Sequence, residues 1–295
     1  SLIALGNDPL NERANTKKAA MLEANILTFQ DAAKRVHADM KAGWKNGKHI
    51  SQWINTLHTY VFPLIGHKPL PDIDVKDISD VLGPIWLTKA ATARRVKQRI
   101  HQVMEWSCAQ GLRVGNPVNG VQHLLPKQPS ASVRVQHHPA MPWVNIPDFV
   151  KTHITDAKNV SRTLLLFVIL TAVRSGEARG ARWSEFNLEQ KVWSIPAIRM
   201  KTQVIHRVPL AEPVVELLQK QQQRSKHSIV FPSPRAGKIL TDMALTSFLR
   251  KHKAISDTPG RPATAHGFRS SFRDWASENA YPQNLAESAL AHRIK

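Results

Sequence analysis

The apolar run TLLLFVILTAV, residues 163–173, constrains the fold of this chain more than any other feature. Drawn as a helix it is apolar on all sides, so it predicts a helix that is buried in a sizeable core. The run is about half as long as the ~18 residues that a membrane span needs, and charged segments flank it. It therefore predicts a protein core, with no membrane span and no membrane partner.

The residues after this run predict a mixed domain. The runs VWSIP and HRVPL favour β-structure and flank a polar turn, which predicts a hairpin. Four helical patterns follow: LAEPVVELLQKQQQ, TDMALTSFLRKH, FRSSFRDWASEN and PQNLAESALAH. We expect a mainly α-helical fold with one small antiparallel β-sheet.

Residues 27–112 predict a domain made only of helices. Thr28 is the expected N-cap of the first helix, with Asp31 three residues on. The second helix, in HISQWINTLHTYVFPLIG, is expected to end at Pro63 and Gly66. The third is IDVKDISDVLGPIW, and the fourth, ATARRVKQRIHQVMEWSCAQG, ends at a glycine.

A segment rich in Pro, Gly, Ser and Asn, residues 113–140, separates the two regions and predicts a linker. A chain of 295 residues is long for a single core, which favours two domains. We therefore predict a helical domain over 27–112 and a mixed domain over 141–295.

The chain is strongly basic, with 41 Lys and Arg against 22 Asp and Glu and a formal net charge of +19. This excess favours a nucleic acid partner, because each cation that neutralises a phosphate releases a condensed counterion. The fourth predicted helix carries a basic face, formed by Arg94, Arg95, Lys97 and Arg99. That face either contacts phosphates or is solvated surface, and the sequence leaves both open.

Several classes of site lack their motifs in this sequence. Cys108 is the only cysteine, which excludes an internal disulfide and a multi-cysteine zinc site and fits a reducing cytoplasm. There is no H-E-x-x-H motif, no Walker or dinucleotide-binding loop and no G-x-S-x-G elbow. We therefore predict no metal and no cofactor.

Two candidate site residues are Arg174, which precedes the predicted hairpin, and Lys201, which lies in its turn. Arg174 follows the apolar run and either pairs with Glu177 or presents its fork of donors to a phosphate. Lys201 lies in the hairpin turn, where the ordinary role of a lysine is solvated surface.

Three further candidates lie near the end of the sequence. His266 and Arg269 share one helix face near N–H groups that favour anions, and His292 follows on the next helix, where packing is the ordinary role. A metal-free set of arginines, histidines and a lysine suits phosphoryl transfer, in which fixed cationic donors offset charge on the non-bridging oxygens.

Four segments in order, TAVRSGE, RMKTQ, HGFR and LAH, resemble the motifs of the tyrosine recombinase, or phage integrase, family. The segments GARWSEFNL and VFPSP are similar to those of prophage and genomic-island integrases. The resemblance implies an exit from an N-terminal arm-binding domain over 1–26 and a SAM-like core-binding domain over 27–112. It also implies a tyrosine-recombinase catalytic domain over 141–295, which lacks its C-terminal end.

The resemblance implies a catalytic role for each candidate residue. Arg174 and Arg269 would clamp the scissile phosphate, and Lys201 would protonate the leaving 5′-hydroxyl. His266 would support proton transfer, and His292 would hydrogen-bond the phosphate.

The same resemblance implies a nucleophile and a supporting acid. The nucleophile is a tyrosine that forms a 3′-phosphotyrosyl link, and the family pattern predicts it after Lys295. Tyr60 lies in the helical domain and Tyr281 precedes His292, so neither is expected to attack. Glu177 is the implied acid that orients the site.

The predicted function is that of a site-specific DNA recombinase fragment that clamps the core of an attachment site. Its parent would integrate or excise a mobile element. The alternatives are a type IB topoisomerase-like enzyme and a non-catalytic DNA-binding protein derived from an integrase. The implied partners are double-stranded DNA, other recombinase protomers on that DNA, and host DNA-bending and excisionase proteins. We expect a monomer without DNA, located in the cytoplasm at the bacterial nucleoid.

Overall fold

The computed structural model describes residues 27–44, 47–128, 137–154, 159–224, 227–234 and 238–292. The chain forms two compact units, unit 1 from Ser1 to Val135 and unit 2 from Gln136 to Lys295. The segment 1–26, for which an exit from a preceding domain is expected, lies outside the described residues. Among the described residues, no helix is long and apolar enough to cross a membrane.

Unit 1 is helical. Its α-helices are α1 (Phe29–Lys41), α2 (Gly47–Tyr60), α3 (Phe62–Ile65), α4 (Val75–Trp86) and α5 (Ala90–Ala109). The predicted cap of α1 is confirmed, because the Thr28 hydroxyl accepts from the N–H of Asp31 at 3.2 Å. The apolar faces of the helices of unit 1 form one core around Trp53, Leu57 and Ile100.

Two expectations for unit 1 differ from the structure. The second helix ends at Tyr60, before Pro63, which instead lies in the first turn of α3, where a missing N–H costs no hydrogen bond. Part of the predicted linker is folded: Pro117–His123 form a 3₁₀ helix whose Val118 is buried in the core of unit 1. The composition of this segment did not predict the 3₁₀ helix, since its apolar residues are few.

Unit 2 combines helices with one small sheet. Its helices are α6 (Ile146–His153), α7 (Val160–Thr171), α8 (Ser175–Arg179), α9 (Glu212–Arg224), α10 (Met243–Lys251), α11 (Gly267–Glu278) and α12 (Gln283–Ala289). Its strands are β1 (Phe186–Asn187), β2 (Val192–Ile195) and β3 (His206–Pro209). They form an antiparallel sheet in the order β1-β2-β3, in which Ile195 pairs with His206. The predicted hairpin and the mainly α-helical fold are confirmed.

The predicted buried helix is α7, and it lies against the sheet of unit 2. Its Phe167 ring lies 5.2 Å from that of Trp193 on β2 and 5.1 Å from that of Phe231. The expected burial on all sides is wrong for one face of the helix: Leu170 is 43% exposed, and Leu166 and Ile169 are half-buried. The sheet, α9 and α10 cover the other faces.

The start of α11 is fixed by a close backbone approach. The Pro139 carbonyl accepts from the N–H of Thr264 at 2.9 Å, and the Met141 carbonyl accepts from the Ser271 hydroxyl. A β-carbon on Gly267 would lie 2.8 Å from the Cα of Ala140 and closer still to the Pro139 carbonyl oxygen. Only glycine fits there, and this contact positions the residues on either side of it.

Candidate active site

Arg174 reaches the site from the turn between α7 and α8. That turn is made by Ala172, which has a left-handed φ of 51° and ends α7. The Arg174 guanidinium donates to Glu177 at 2.9 Å, and the other Glu177 oxygen accepts from the Arg174 backbone N–H at 2.9 Å. Glu177 is buried, whereas the Arg174 side chain stays partly exposed. The predicted ion pair between Arg174 and Glu177 is therefore present, and the partly exposed Arg174 side chain remains accessible to a ligand.

Arg269, in the first turn of α11, bonds to the C-terminal ends of two other helices, α7 and α12. Its guanidinium donates to the carbonyls of Ala172 and Leu290, both at 2.6 Å, and the side chain is 5% exposed. Burial lowers the pKa of Arg269 to about 10, with the charge of Arg174 adding to this and Glu177 opposing it. Arg269 remains cationic at neutral pH.

His292 lies beside Arg269. The guanidinium of Arg269 lies 3.3 Å from Nε2 of His292. A guanidinium can only donate, so Nε2 accepts and the neutral ring carries its proton on Nδ1. Burial lowers the pKa of His292, and the charges of Arg269 and Arg174 lower it further. The ring is thus held neutral, with one N–H left for another acceptor.

His266 precedes α11 and contacts a second histidine. Its ring lies 4.5 Å from the ring of His138 in an edge-to-face arrangement. Burial among protein atoms lowers the pKa of His266 to about 4, followed by the charges of His138, Arg269 and Arg174. The residue still reaches solvent. A ring that is accessible and neutral can accept a proton.

Lys201 joins this cluster through a pocket of about 350 Å³, which is lined by Arg174, Lys201, Thr202, Ala291 and His292. The hairpin turn that carries Lys201 is anchored by Arg199, which donates to the Glu185 carboxylate and to the Glu177 backbone carbonyl. Residues from three separate stretches of unit 2 therefore line one opening.

The structure brings all five predicted catalytic residues of unit 2 into one neighbourhood. Arg174, Lys201 and His292 share the pocket, Arg269 contacts His292, and His266 is within electrostatic range of Arg174, Arg269 and His292. Among the residues that the structure describes, no group of three or more His, Cys, Asp or Glu side chains could hold a metal ion. Fixed cations and neutral imidazoles offer donors to an anion instead.

Three residues of this neighbourhood were missed by sequence reasoning: His138, Arg199 and His206. His206 opens β3, and burial lowers its pKa while the charge of Glu177 opposes that shift. The signal for His206 was its place in HRVPL, directly after the hairpin turn. His138 and Arg199 gave no local signal, since both act through contacts with distant residues.

The four basic residues predicted on α5 have different environments in unit 1. Arg94 and Arg95 are exposed, and Lys97 is half-buried. Arg99 is 8% exposed and donates to the backbone carbonyl of Gln52 at 2.9 Å. The predicted basic face is therefore not one uniform surface.

Comparison with known families accounts for both units. Residues 29–123 match the phage integrase central domain, and residues 144–294 match the phage integrase family. Prophage integrase IntZ of Escherichia coli (strain K12) is 31% identical over 99% of this chain and 70% of its own length. The integrase of Enterobacteria phage P4 is 28% identical over 99% of this chain and 67% of its own length.

Solved structures with the same fold include two of lambda integrase. A tetramer bound to a Holliday junction gives a TM-score of 0.74 at 18% identity, covering 98% of this chain and 82% of that chain. A dimer bound to a COC′ core site gives a TM-score of 0.73 at 18% identity, covering 98% and 79%.

Fold and sequence together define an enzyme that cleaves and rejoins DNA strands. The chain belongs to the phage integrase family, whose members are tyrosine recombinases. The expected family, fold class and recombinase activity are confirmed.

Proposed function

We propose that the site of unit 2 binds the scissile phosphate of a core-type DNA duplex and carries out strand cleavage and rejoining there. The observation that supports this is the pocket lined by Arg174, Lys201 and His292, with Arg269 bonded to His292. These groups converge without a carboxylate exposed in the pocket lining, and Glu177 is engaged with Arg174. An anion is the ligand that such a lining favours.

Each side chain has a role that follows from its state. A tyrosine hydroxyl attacks phosphorus, forming a 3′-phosphotyrosyl bond and breaking the bond to the 5′-oxygen. Neutral His266 accepts the tyrosine proton, and Lys201 gives a proton to the departing 5′-oxygen. Arg174 and Arg269 offset the charge that builds up on the non-bridging oxygens. The Nδ1–H of His292 donates to the same phosphate.

We propose that the attacking tyrosine is neither of the two in this chain. Tyr281 lies between α11 and α12, and its ring is engaged with that of Trp275, 5.0 Å away. Tyr60 belongs to unit 1, where Lys89 lies over its ring. We propose instead a tyrosine after Lys295, as the resemblance to the family's motifs implies.

The DNA partner is proposed from charge and from the relatives. Lambda integrase is seen as a dimer on a core site and as a tetramer on a Holliday junction. We propose that this chain likewise binds the core of an attachment site and assembles there with further protomers. The same proposal includes host DNA-bending and excisionase proteins as further partners. It also includes a location at the nucleoid, in the cytoplasm.

The test uses a DNA duplex nicked near the crossover, which traps a covalent adduct that is visible on a denaturing gel. The chain is compared with a longer version that carries a tyrosine after Lys295. We expect adducts only with the longer version, abolished by Lys201→Ala and kept by Lys220→Ala, a matched change at an exposed lysine of α9.

The two alternatives give different results in the same experiments. Adducts formed by Ser1–Lys295 itself would show that Tyr60, Tyr281 or another residue attacks. Relaxation of supercoiled DNA without paired sites would favour the topoisomerase. Site-specific binding without adducts from either version would favour a non-catalytic DNA-binding protein.

A further inference from the structure

A second pocket, of about 710 Å³, lies in unit 1 where α2 faces α5. Its lining is rich in hydrogen-bonding side chains: Gln52, Thr56, Arg95, Gln98, Arg99 and Gln102. The four that come from α5 are spaced i, i+3, i+4 and i+7, so they share one face of that helix. Arg94 and Lys97 do not line this pocket.

Arg99 is a buried cation without a counter-ion. It is 8% exposed, and one Nη donates to the Gln52 carbonyl at 2.9 Å. Among the described residues no carboxylate acts on it, and burial followed by the charge of Arg95 lowers its pKa. Burying a guanidinium is costly, and the Gln52 carbonyl offsets part of that cost. The pocket thus holds two arginines and has no carboxylate among the described residues that line it.

The amide of Gln102 is oriented in advance. The indole N–H of Trp53 lies 3.2 Å from Oε1 of Gln102. An indole N–H can only donate, so the amide oxygen must face it and the NH₂ group points the other way. Trp53 itself is almost fully buried, which keeps this arrangement fixed. Gln102 therefore offers a second directed donor on the same face of α5.

These groups suit a base edge better than a phosphate. A guanine presents two acceptors, O6 and N7, in the major groove, which is wide enough for an α-helix and which an arginine contacts with both arms of its fork. A phosphate presents acceptors in several directions, so binding a phosphate would not need the fixed orientation that Trp53 gives to the Gln102 amide. Directed donors next to amides are typical of base reading.

We propose that this pocket reads a guanine-containing base pair in the major groove through the exposed Arg95, with Arg99, held by the Gln52 carbonyl, as the positioning residue beside it, whereas Arg94 and Lys97 only contact phosphates. The inference rests on the proposed binding of core-type DNA. It divides the basic residues of α5 into two that determine sequence preference and two that determine affinity.

The test compares two neighbouring exposed arginines with the same substitution. Duplexes are first selected by the unaltered chain from a library with randomised central base pairs. Binding of Arg95→Gln and Arg94→Gln is then measured against the selected duplex and against its single-base-pair variants over a range of salt concentrations.

The two variants are expected to change different properties, Arg95→Gln the base preference and Arg94→Gln the overall affinity for DNA. Arg95→Gln loses preference at one G·C pair, where the unaltered chain discriminates about 10- to 100-fold. Arg94→Gln weakens binding equally for all sequences and lowers the salt slope by about 0.9. Arg99→Lys, which keeps the charge but not the fork, is expected to lose the same G·C preference with an unchanged salt slope. Its thermal unfolding is measured alongside to confirm that it is folded.

Failure of the inference differs from failure of the proposed function. Equal, sequence-independent losses for Arg95→Gln and Arg94→Gln would overturn the base-reading role while leaving DNA binding intact. A library from which the unaltered chain selects no duplex would overturn the proposed site-specific binding of core-type DNA.

Discussion

Gly267→Ala tests whether the close approach of the 139–141 segment to α11 positions the active site. The new methyl group would lie 2.8 Å from the Cα of Ala140 and closer to the Pro139 carbonyl oxygen. Both neighbours are backbone atoms, so no side-chain rotation can relieve the clash. The segment must move away from the first turn of α11, which carries Arg269.

The cost follows from the contacts that this movement breaks. Overpacking of this kind destabilises by about 1–3 kcal/mol. The Pro139 carbonyl accepts from the N–H of Thr264 at 2.9 Å and from its hydroxyl at 3.2 Å. Each such bond contributes about 0.5–1.5 kcal/mol. We expect a total loss of about 2–6 kcal/mol, which corresponds to a decrease in Tm of roughly 4–24 °C for a domain of this size.

Calorimetry measures this loss, with unit 2 followed as its own transition because two compact units can unfold separately. The matched control is Gly47→Ala, at the first residue of α2, where an added β-carbon meets nothing within 4 Å. Its free energy of unfolding should change by less than about 0.5 kcal/mol. If Gly267→Ala unfolds within a degree of the unaltered chain, the argument from close approach is wrong.

Three further substitutions have defined outcomes. Arg269→Lys replaces two Nη atoms, each of which donates to one carbonyl, by a single nitrogen that cannot occupy both positions, so chemical denaturation should show a loss of about 1–3 kcal/mol; equal stability would mean that these bonds contribute nothing. Glu177→Gln leaves Arg174 without its charge partner, and we expect lower stability of unit 2 by about 1–3 kcal/mol and slower adduct formation by the version that carries a tyrosine after Lys295, contradicted if both are unchanged. His266 has a pKa of about 4 in the folded chain against 6.5 ordinarily, so the unfolded state binds the proton first and stability falls as pH decreases from 6.5 to 4. His266→Gln should reduce that fall, as measured by unfolding at several pH values, and an identical pH dependence would refute the assignment.

Local patterns predicted those parts of the fold that depend on near neighbours. The helix α7 follows from an apolar run and the hairpin from two short β-favouring runs around a turn. The cap at Thr28 needs only Asp31, three residues away. Such features are encoded within a few residues, so sequence reasoning found them.

Long-range contacts account for what the sequence concealed. Arg99 reads as a surface cation until the carbonyl of Gln52, on another helix, is seen to accept from it. The same holds within the site, where motifs identified Arg269 but not its bond to Ala172, 97 residues away. Residue types predict the chemistry of a site, whereas its hydrogen bonds depend on the tertiary fold.

Burial, followed by the charges of nearby cations, lowers the pKa values of the active-site histidines, and DNA binding should offset the second of these causes. Arg174 and Arg269 both lower the pKa of His266 and of His292. A phosphate bound between the arginines adds a negative charge and offsets part of their positive potential, which raises the pKa of a nearby imidazole. We therefore expect the pKa of His266 to rise from about 4 when a core-type duplex binds, so that the ring becomes a better proton acceptor only with substrate in place. NMR titration of the His266 ring with and without DNA measures the shift, and His58, an exposed histidine of α2 in the other unit, serves as reference. A pKa of His266 that stays the same or falls in the complex would mean that burial by DNA outweighs the phosphate charge, and His266 could not then be the proton acceptor at neutral pH.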